Sequence, residues 1–539
     1  MNKELLAKYE LLKRNMTPHK WELLEHCALY VSLTVGEDLT DPEIMHLLSN
    51  LRVMKGGLSK IINYLKSKNK PLVKTYGSDM AKEVYYCTGC PRFSSCTVIV
   101  SNLPDMVTST YTQARVHHRL TREQMEINLA LITDRAYEGT GTYVIKAPVG
   151  SGKTRLIVDH LMQGQVILFP THALKNEFYQ LAKAKHPELN YYLTEQAPLD
   201  AIPELSAKVV KAAFNLSDYS KGCFILSQYR DIPRVENYLK SLDQVKKIGD
   251  NTIIISTHCK LAHLRALYPH RKIIIDEDPI NEIIKIYKSK TAPFDNIVLD
   301  KVTPVNRMSI KPDDRAIHAL FKKSDYYYAS VNTATDNTDF TFVKKLDIDL
   351  NNTIIFSATI SANIWKELVP NLNHMEVGHV QTKGKLFQHV MNTSRAQMKN
   401  DTDILPSLRE KFPDHEVCTF KPYAEDDQIY FGNNRGYDLL RGKDMIVVGT
   451  PYPSPISTRL ISAIIHGLAE DESICYQTVL HNGNIFKFTT FNDTPLREVH
   501  LWQVESELIQ AIGRNRLLRE DCETHVYTDF ILADSIIIT

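Results

Sequence analysis

The pattern of apolar and polar positions divides the chain near residue 120. Before it, Glu4 to Lys13, Pro18 to Val35, Asp41 to Val53 and Leu58 to Lys66 carry apolar residues three or four apart, the spacing of one helix face. Asp41-Pro42-Glu43 fits a helix start, with Asp as N-cap and Pro at the first helical position. From about Tyr143 the rhythm changes to short apolar runs alternating with amphipathic segments. Strands are predicted at Tyr143 to Ala147, Gln165 to Pro170, Thr252 to Thr257, Lys272 to Asp276, Thr353 to Ser357, Glu416 to Phe420, Met445 to Gly449 and Thr524 to Thr528. Runs such as Ile253-Ile254-Ile255 and Ile273-Ile274-Ile275 lack in-out alternation, which is how strands covered on both faces read. The expected fold class is therefore α/β, with one parallel-sheet lobe over 121–375, a second over 376–539, and a mainly helical domain over 1–120. The interval 183–247 is charged and irregular and reads as an insertion in the first lobe. No repeat of fixed period and no low-complexity tract interrupts this scheme.

Composition changes the picture little. At 539 residues, 43% apolar and 24% charged, the chain has the profile of a globular protein with several domains, not of a disordered or collagenous one. Its longest apolar runs stop far short of the roughly 18 residues a membrane span needs. Lys13 and Arg14 precede no apolar stretch of a secretory leader, so a cytoplasmic, non-secreted chain is expected. The 64 basic and 63 acidic side chains leave a net charge of +1, which argues against a surface that is one polyanion clamp. The stretch 51–74 departs from this balance, with seven basic residues and no acid, and could face phosphate or form a solvated helix face. Six of the nine cysteines, Cys27, Cys223, Cys259, Cys418, Cys475 and Cys522, lie far apart, and disulfides are not expected.

Two local patterns carry nucleotide chemistry. Ala147-Pro148-Val149-Gly150-Ser151-Gly152-Lys153-Thr154 follows a predicted strand and opens a predicted helix, the setting of a phosphate-binding loop. Gly150, Ser151 and Gly152 let backbone N–H groups curl around phosphate oxygens, Lys153 reaches the outer phosphates, and Thr154 offers a hydroxyl to Mg²⁺. Ala147 stands where the first glycine of such loops usually stands. Downstream, the strand Lys272 to Asp276 ends in Asp276-Glu277-Asp278-Pro279. Asp276 is the candidate to hold the Mg²⁺ shell, and Glu277 to orient and polarise an attacking water.

Cys87-Thr88-Gly89-Cys90 forms a C-x₂-C knuckle in which two thiolates can share a metal, and Cys96 follows as a third ligand. Cys27 or His26 is the candidate fourth. Zinc and an iron–sulfur cluster both suit the set and stay open, as do unliganded thiols.

In their order along the chain, these segments resemble superfamily 2 helicases and translocases of the DEAD/DEAH-like kind, over about Thr121 to Asp529. Ala147 to Thr154 is similar to motif I, Phe169 to Leu174 to the Ia element, and Asp276 to Pro279 to the acidic box. Ser357-Ala358-Thr359 resembles motif III, Gly442-Lys443-Asp444 with Gly449-Thr450-Pro451 motif V, and Gln510-Ala511-Ile512-Gly513-Arg514-Asn515-Arg516 motif VI. The resemblance implies two RecA-like lobes and an ATP-dependent, Mg²⁺-requiring hydrolase that moves along or unwinds DNA, in replication or repair, with single-stranded DNA as the tracking strand and RNA as the alternative. It implies that Thr171 and Thr450 face nucleic acid, that Ser357 and Thr359 couple hydrolysis to movement, and that Gln510 joins the nucleotide site. An arginine from the second lobe would stabilise phosphoryl-transfer charge once the lobes close. The common family spacing is Gly-Arg-x-x-Arg, so which of Arg514 and Arg516 serves stays open. Gln124 is placed either to read adenine, as the family's Q motif does, or as a helix-surface glutamine. Thr257-His258 is placed either on the nucleic-acid face or as a strand end. The cysteine module resembles the cluster-binding part of primase large subunits and parts of phage and plasmid replication proteins. Its cysteines precede motif I, whereas those of XPD-type helicases follow it. Two other readings survive from the sequence: a replication or primase accessory protein using ATP as a switch, and a scaffold with a degenerate motor.

Overall fold

The computed structural model describes residues 111–112 and 119–538, except 216–217, 293–296, 306–319, 336, 427, 433–439 and 483. The N-terminal helices, the basic stretch 51–74, and Cys27, Cys87, Cys90 and Cys96 with His26 lie outside the described residues. The chain forms two compact units. One includes 476–489 and 529–535, where the strands Ile474–His481 and Asn484–Phe491 are neighbours and Tyr111–Thr112 pairs antiparallel with Ile485 and Phe486. Phe486, Phe488 and Phe530 pack edge to face there.

The other unit, 119–475, 490–528 and 536–539, is α/β. A seven-stranded sheet runs in the spatial order Leu372–Glu376, Thr142–Lys146, Thr353–Ser357, Ile273–Asp276, Val166–Phe169, Thr252–Thr257 and Asn190–Leu193. Every pairing in it is parallel. Successive residues of its central strands point to opposite faces, and both faces are buried. Val144, Ile254, Ile273, Ile275 and Ile355 join the core on one face, and Ile145, Ile253, Ile255, Ile274 and Ile354 the core on the other. This two-sided burial is why the runs show no alternation.

A second, five-stranded parallel sheet orders Glu416–Cys418, Met445–Val448, Glu523–Thr528, Lys385–Val390 and Ile536–Ile538. The helix Thr494–Ile512 leads back into it. A four-stranded antiparallel sheet, built from Ile284–Thr291, Asn337–Lys345, Tyr326–Asn332 and Thr303–Pro304, is inserted between the strand ending at Asp276 and the one starting at Thr353. Leu460, Ile461 and Ile465 of the helix Pro455–His466 share a core with Tyr328 and Val343 of that sheet.

The interval 183–247 is more regular than its composition suggests. It holds the edge strand Asn190–Leu193 and the helices Glu204–Asn215, Tyr219–Ser227 and Pro233–Val245, with a small core of Val210, Leu226, Val235 and Tyr238. Its charges sit on exposed faces, as in the ion pairs Lys208–Glu204 and Lys240–Glu236. No described helix is long and apolar enough to cross a membrane.

Candidate nucleotide site

The strand Thr142–Lys146 delivers residues 147–154 at its C-terminal end, where Ala147 N donates to Ser357 O at 3.0 Å. Gly150 (φ 78°) and Gly152 (φ 101°) occupy the left-handed region, which any side chain would strain, and turn the chain into the helix Lys153–Asp159. Lys153 is buried, and its Nζ donates to Ala147 O at 3.1 Å and Pro148 O at 3.0 Å. Burial lowers the Lys153 pKa, Glu277 and Asp276 pull it back up, and Arg516 and Arg514 push it down again.

Asp276 closes its strand two positions along the sheet from the loop's strand, buried, with Thr154 Oγ1 donating to its Oδ2 at 3.1 Å. Burial, and then the neighbouring Glu277 charge, push its carboxyl up to about 7, against the pull of Lys153, Thr154 and Arg516. A buried carboxylate so disfavoured, beside a hydroxyl, is a pair of hard oxygen donors that suits Mg²⁺. Glu277 has φ 74°, unusual for a residue with a Cβ, and is held there by Glu277 N donating to Phe356 O at 2.7 Å.

The second parallel sheet brings its own residues to the same place. The helix Thr494–Ile512 ends at Gly513, where an added Cβ would lie 2.5 Å from Val149 Cγ1, so the two segments touch. Gln510 Nε2 donates to Glu277 Oε2 at 3.0 Å. Arg514 is buried, with Nε on Gln510 O at 3.0 Å and Nη2 on Gln510 Oε1 at 2.8 Å. Arg516 places its Cδ 3.5 Å from where a Cβ on Gly150 would stand. A cavity of about 830 Å³ is lined by Gly150, Gly152, Lys153, Thr154, Asp276 and Glu277 on one side, and by Arg441, Gln510, Arg514, Arg516 and Arg519 on the other.

Other candidates fall elsewhere. Gln124 does not line the cavity: Thr121 N donates to its Oε1 at 2.9 Å while Gln124 N donates to Thr121 Oγ1 at 3.2 Å, a capping box that starts the helix Arg122–Glu138. Thr171 caps the helix His172–Lys185, its hydroxyl accepting from Leu174 N. His258 is buried with Nε2 2.8 Å from Asp276 O, the strand-end arrangement. Thr450 is fully buried, its hydroxyl 2.9 Å from that of Thr528. Ser357 Oγ accepts from Thr359 N at 3.2 Å. Asp278 accepts from Ile280 N and Trp365 Nε1 and does not line that cavity. Among the described residues, no group of three or more His, Cys, Asp or Glu side chains could hold a metal.

Sequence reasoning missed two features. Trp502 Nε1 donates to Thr359 O at 2.8 Å, joining the long helix before Gly513 to the segment after Ser357. Arg519 donates to Gly150 O and to Ser151 O. The Arg516-x-x-Arg519 spacing was the available signal for the second; for Trp502 there was none.

No family model matches the chain, and no curated protein matches it. Solved structures do. An XPD helicase matches at 12% identity and a TM-score of 0.46, over 77% of this chain and 96% of that one. The S. tokodaii Xpd4 structure matches at 10% identity and 0.39, over 75% and 95%. S. cerevisiae Dbp5 bound to RNA and ADP–BeF₃ matches at 12% identity and 0.30, over 72% and 79%.

Proposed function

We propose that this chain is an ATP-dependent nucleic-acid motor, a helicase or translocase of RecA-like lobes that couples hydrolysis at the shared cavity to movement along single-stranded DNA. One observation carries the reading: the phosphate-loop residues, Asp276 and Glu277 share a single cavity with arginines of the segments that lead into strands of the second parallel sheet. A site closed by only one sheet would bind nucleotide without reporting lobe movement.

In this reading the N–H groups around Gly150 to Gly152 cradle the phosphates, and Lys153 gives up its bonds to Ala147 and Pro148 for phosphate oxygens. Thr154 and Asp276 would hold Mg²⁺, which would supply neutralisation of phosphate charge. Glu277 orients the attacking water, itself oriented by Gln510. Arg516 is the finger, because its charge acts on both Lys153 and Asp276, while Arg514 is tied to Gln510 and supports it. Trp502 and Thr359 connect the state of the site to the helix that carries the arginines. Strand contact, to phosphates above all, is weakened by salt.

ATP hydrolysis by the full chain with single-stranded DNA, duplex DNA and RNA in parallel tests the proposal. Stimulation by a polynucleotide is expected, largest with single-stranded DNA. Absence of turnover with all three would sink it, and stimulated turnover without strand displacement would select translocation over unwinding.

A further inference from the structure

Arg519, which lines the cavity, touches the phosphate loop through two of its carbonyls. Its guanidinium spans the carbonyls of Gly150 and Ser151, with Nη2 to Ser151 O at 3.1 Å, and the same Nη2 meets Glu126 Oε1 at 2.9 Å. Leu518, beside it, is buried in the core that holds Met125, Leu129 and Ile157. Arg519 thus belongs by sequence to the segment after Gly513 but is anchored on the first sheet's side at three points.

Peptide planarity gives this contact a consequence. In a trans peptide the C=O and the next N–H point in opposite directions. Holding the carbonyls of Gly150 and Ser151 toward Arg519 therefore turns the N–H groups of Ser151 and Gly152 toward the other side. On that side Ser151 N donates to Pro148 O at 3.2 Å, the same oxygen that accepts from Lys153 Nζ at 3.0 Å. These are the groups that meet phosphate in the function proposed above.

We propose that Arg519 is a positioning residue that orients the phosphate-binding peptides from across the lobe boundary, so that nucleotide affinity itself requires the lobes to be together. Arg514 and Arg516 act on bond cleavage; Arg519 acts on how well the loop is formed. The inference rests on the nucleotide-site reading and adds to it a residue that acts through the loop's backbone.

The test uses the full chain and variants Arg519→Ala, Arg519→Lys and Glu126→Gln, with steady-state kinetics and direct binding of ATP and ADP. Arg519→Ala should raise the KM for ATP and the Kd for ATP and ADP alike by about tenfold, with kcat falling less than about threefold, because charge-assisted bonds that serve ground state and transition state equally are lost. Arg519→Lys, reaching fewer acceptors, should recover part of that affinity. Glu126→Gln should weaken binding in the same direction but add little in the Arg519→Ala background. A merely structural arginine would shift the melting temperature and leave both nucleotide affinities alone, and that outcome overturns the inference. If wild type hydrolyses ATP while Arg519→Ala keeps its KM and Kd, only this inference falls; if wild type binds no nucleotide, the site reading falls with it. Should Arg519→Ala not fold, Arg519→Lys and Glu126→Gln are judged by the same criterion.

Discussion

Replacing Gly513 by Ala probes the approach of the two sheets' segments without touching a charge. Gly513 has φ −68° and ψ −4°, right-handed values that alanine adopts freely, so backbone strain does not enter. The new Cβ would stand 2.5, 2.7 and 2.8 Å from Cγ1, Cβ and Cγ2 of Val149. Carbon atoms settle near about 3.5–4.0 Å, so the segments must part by roughly 1 Å. Overpacking of this kind costs about 1–3 kcal/mol. At about 1.4 kcal/mol per factor of ten, the closed arrangement loses roughly 5- to 150-fold in population. Steady-state ATP hydrolysis at saturating polynucleotide should show kcat/KM falling by that factor. Val149→Gly removes all three clashing atoms, and in the Gly513→Ala background it should restore most of the loss, less about 0.5–1 kcal/mol for the added backbone freedom. Wild-type turnover in Gly513→Ala alone would mean that these segments are apart when ATP is cleaved.

Lys153→Ala should abolish hydrolysis by removing the buried ammonium that bonds Ala147 O and Pro148 O at the base of the loop, with the secondary structure intact by circular dichroism. Glu277→Gln keeps an acceptor for Gln510 but loses the charge that polarises water, so turnover should fall by about 10²–10⁴ while ATP stays bound; ordinary turnover in it refutes the assignment. His500, buried on the helix Thr494–Ile512 with Nδ1 2.9 Å from Thr490 Oγ1, has its pKa pushed down to about 4 by burial. Its neutral form is the native one, so its contribution is present above the unfolded value of 6.5 and is lost as pH falls toward 4. That contribution amounts to at most about 3 kcal/mol. Urea midpoints measured across this window should drop in wild type and drop less steeply in His500→Gln, since His172 and His389 are shifted in the same direction; identical profiles would contradict it.

Legibility in the sequence follows burial and locality. Strands covered on both faces, such as Thr252–Thr257 and Ile273–Asp276, announce themselves through an unbroken run of three isoleucines, because successive positions are buried on opposite faces. Strands at or near the sheet margins do not: Leu372–Glu376 contains Asn373, His374 and Glu376, and Lys385–Val390 contains Gln388 and His389. The juxtaposition of the loop 147–154 with the pair Asp276-Glu277 is legible because each comes at the end of an apolar strand of one parallel sheet, and a proposed phosphate and Mg²⁺ site asks for given residue types at short spacing. Gln124 shows the limit of such reading, since the same Thr-x-x-Gln pattern is a capping box. The Arg516-x-x-Arg519 spacing marks Arg519 but not its partner, because Gly150 O is a backbone atom 369 residues away and a carbonyl leaves no mark in sequence.

The most direct test of a nucleotide cleaved at a shared seam is ATP turnover by Arg516→Ala at saturating single-stranded DNA, with ATP binding measured on the same sample. A finger delivered from the second lobe predicts retained binding and a loss of about 10³–10⁵ in kcat. Turnover within a few-fold of wild type would contradict the account.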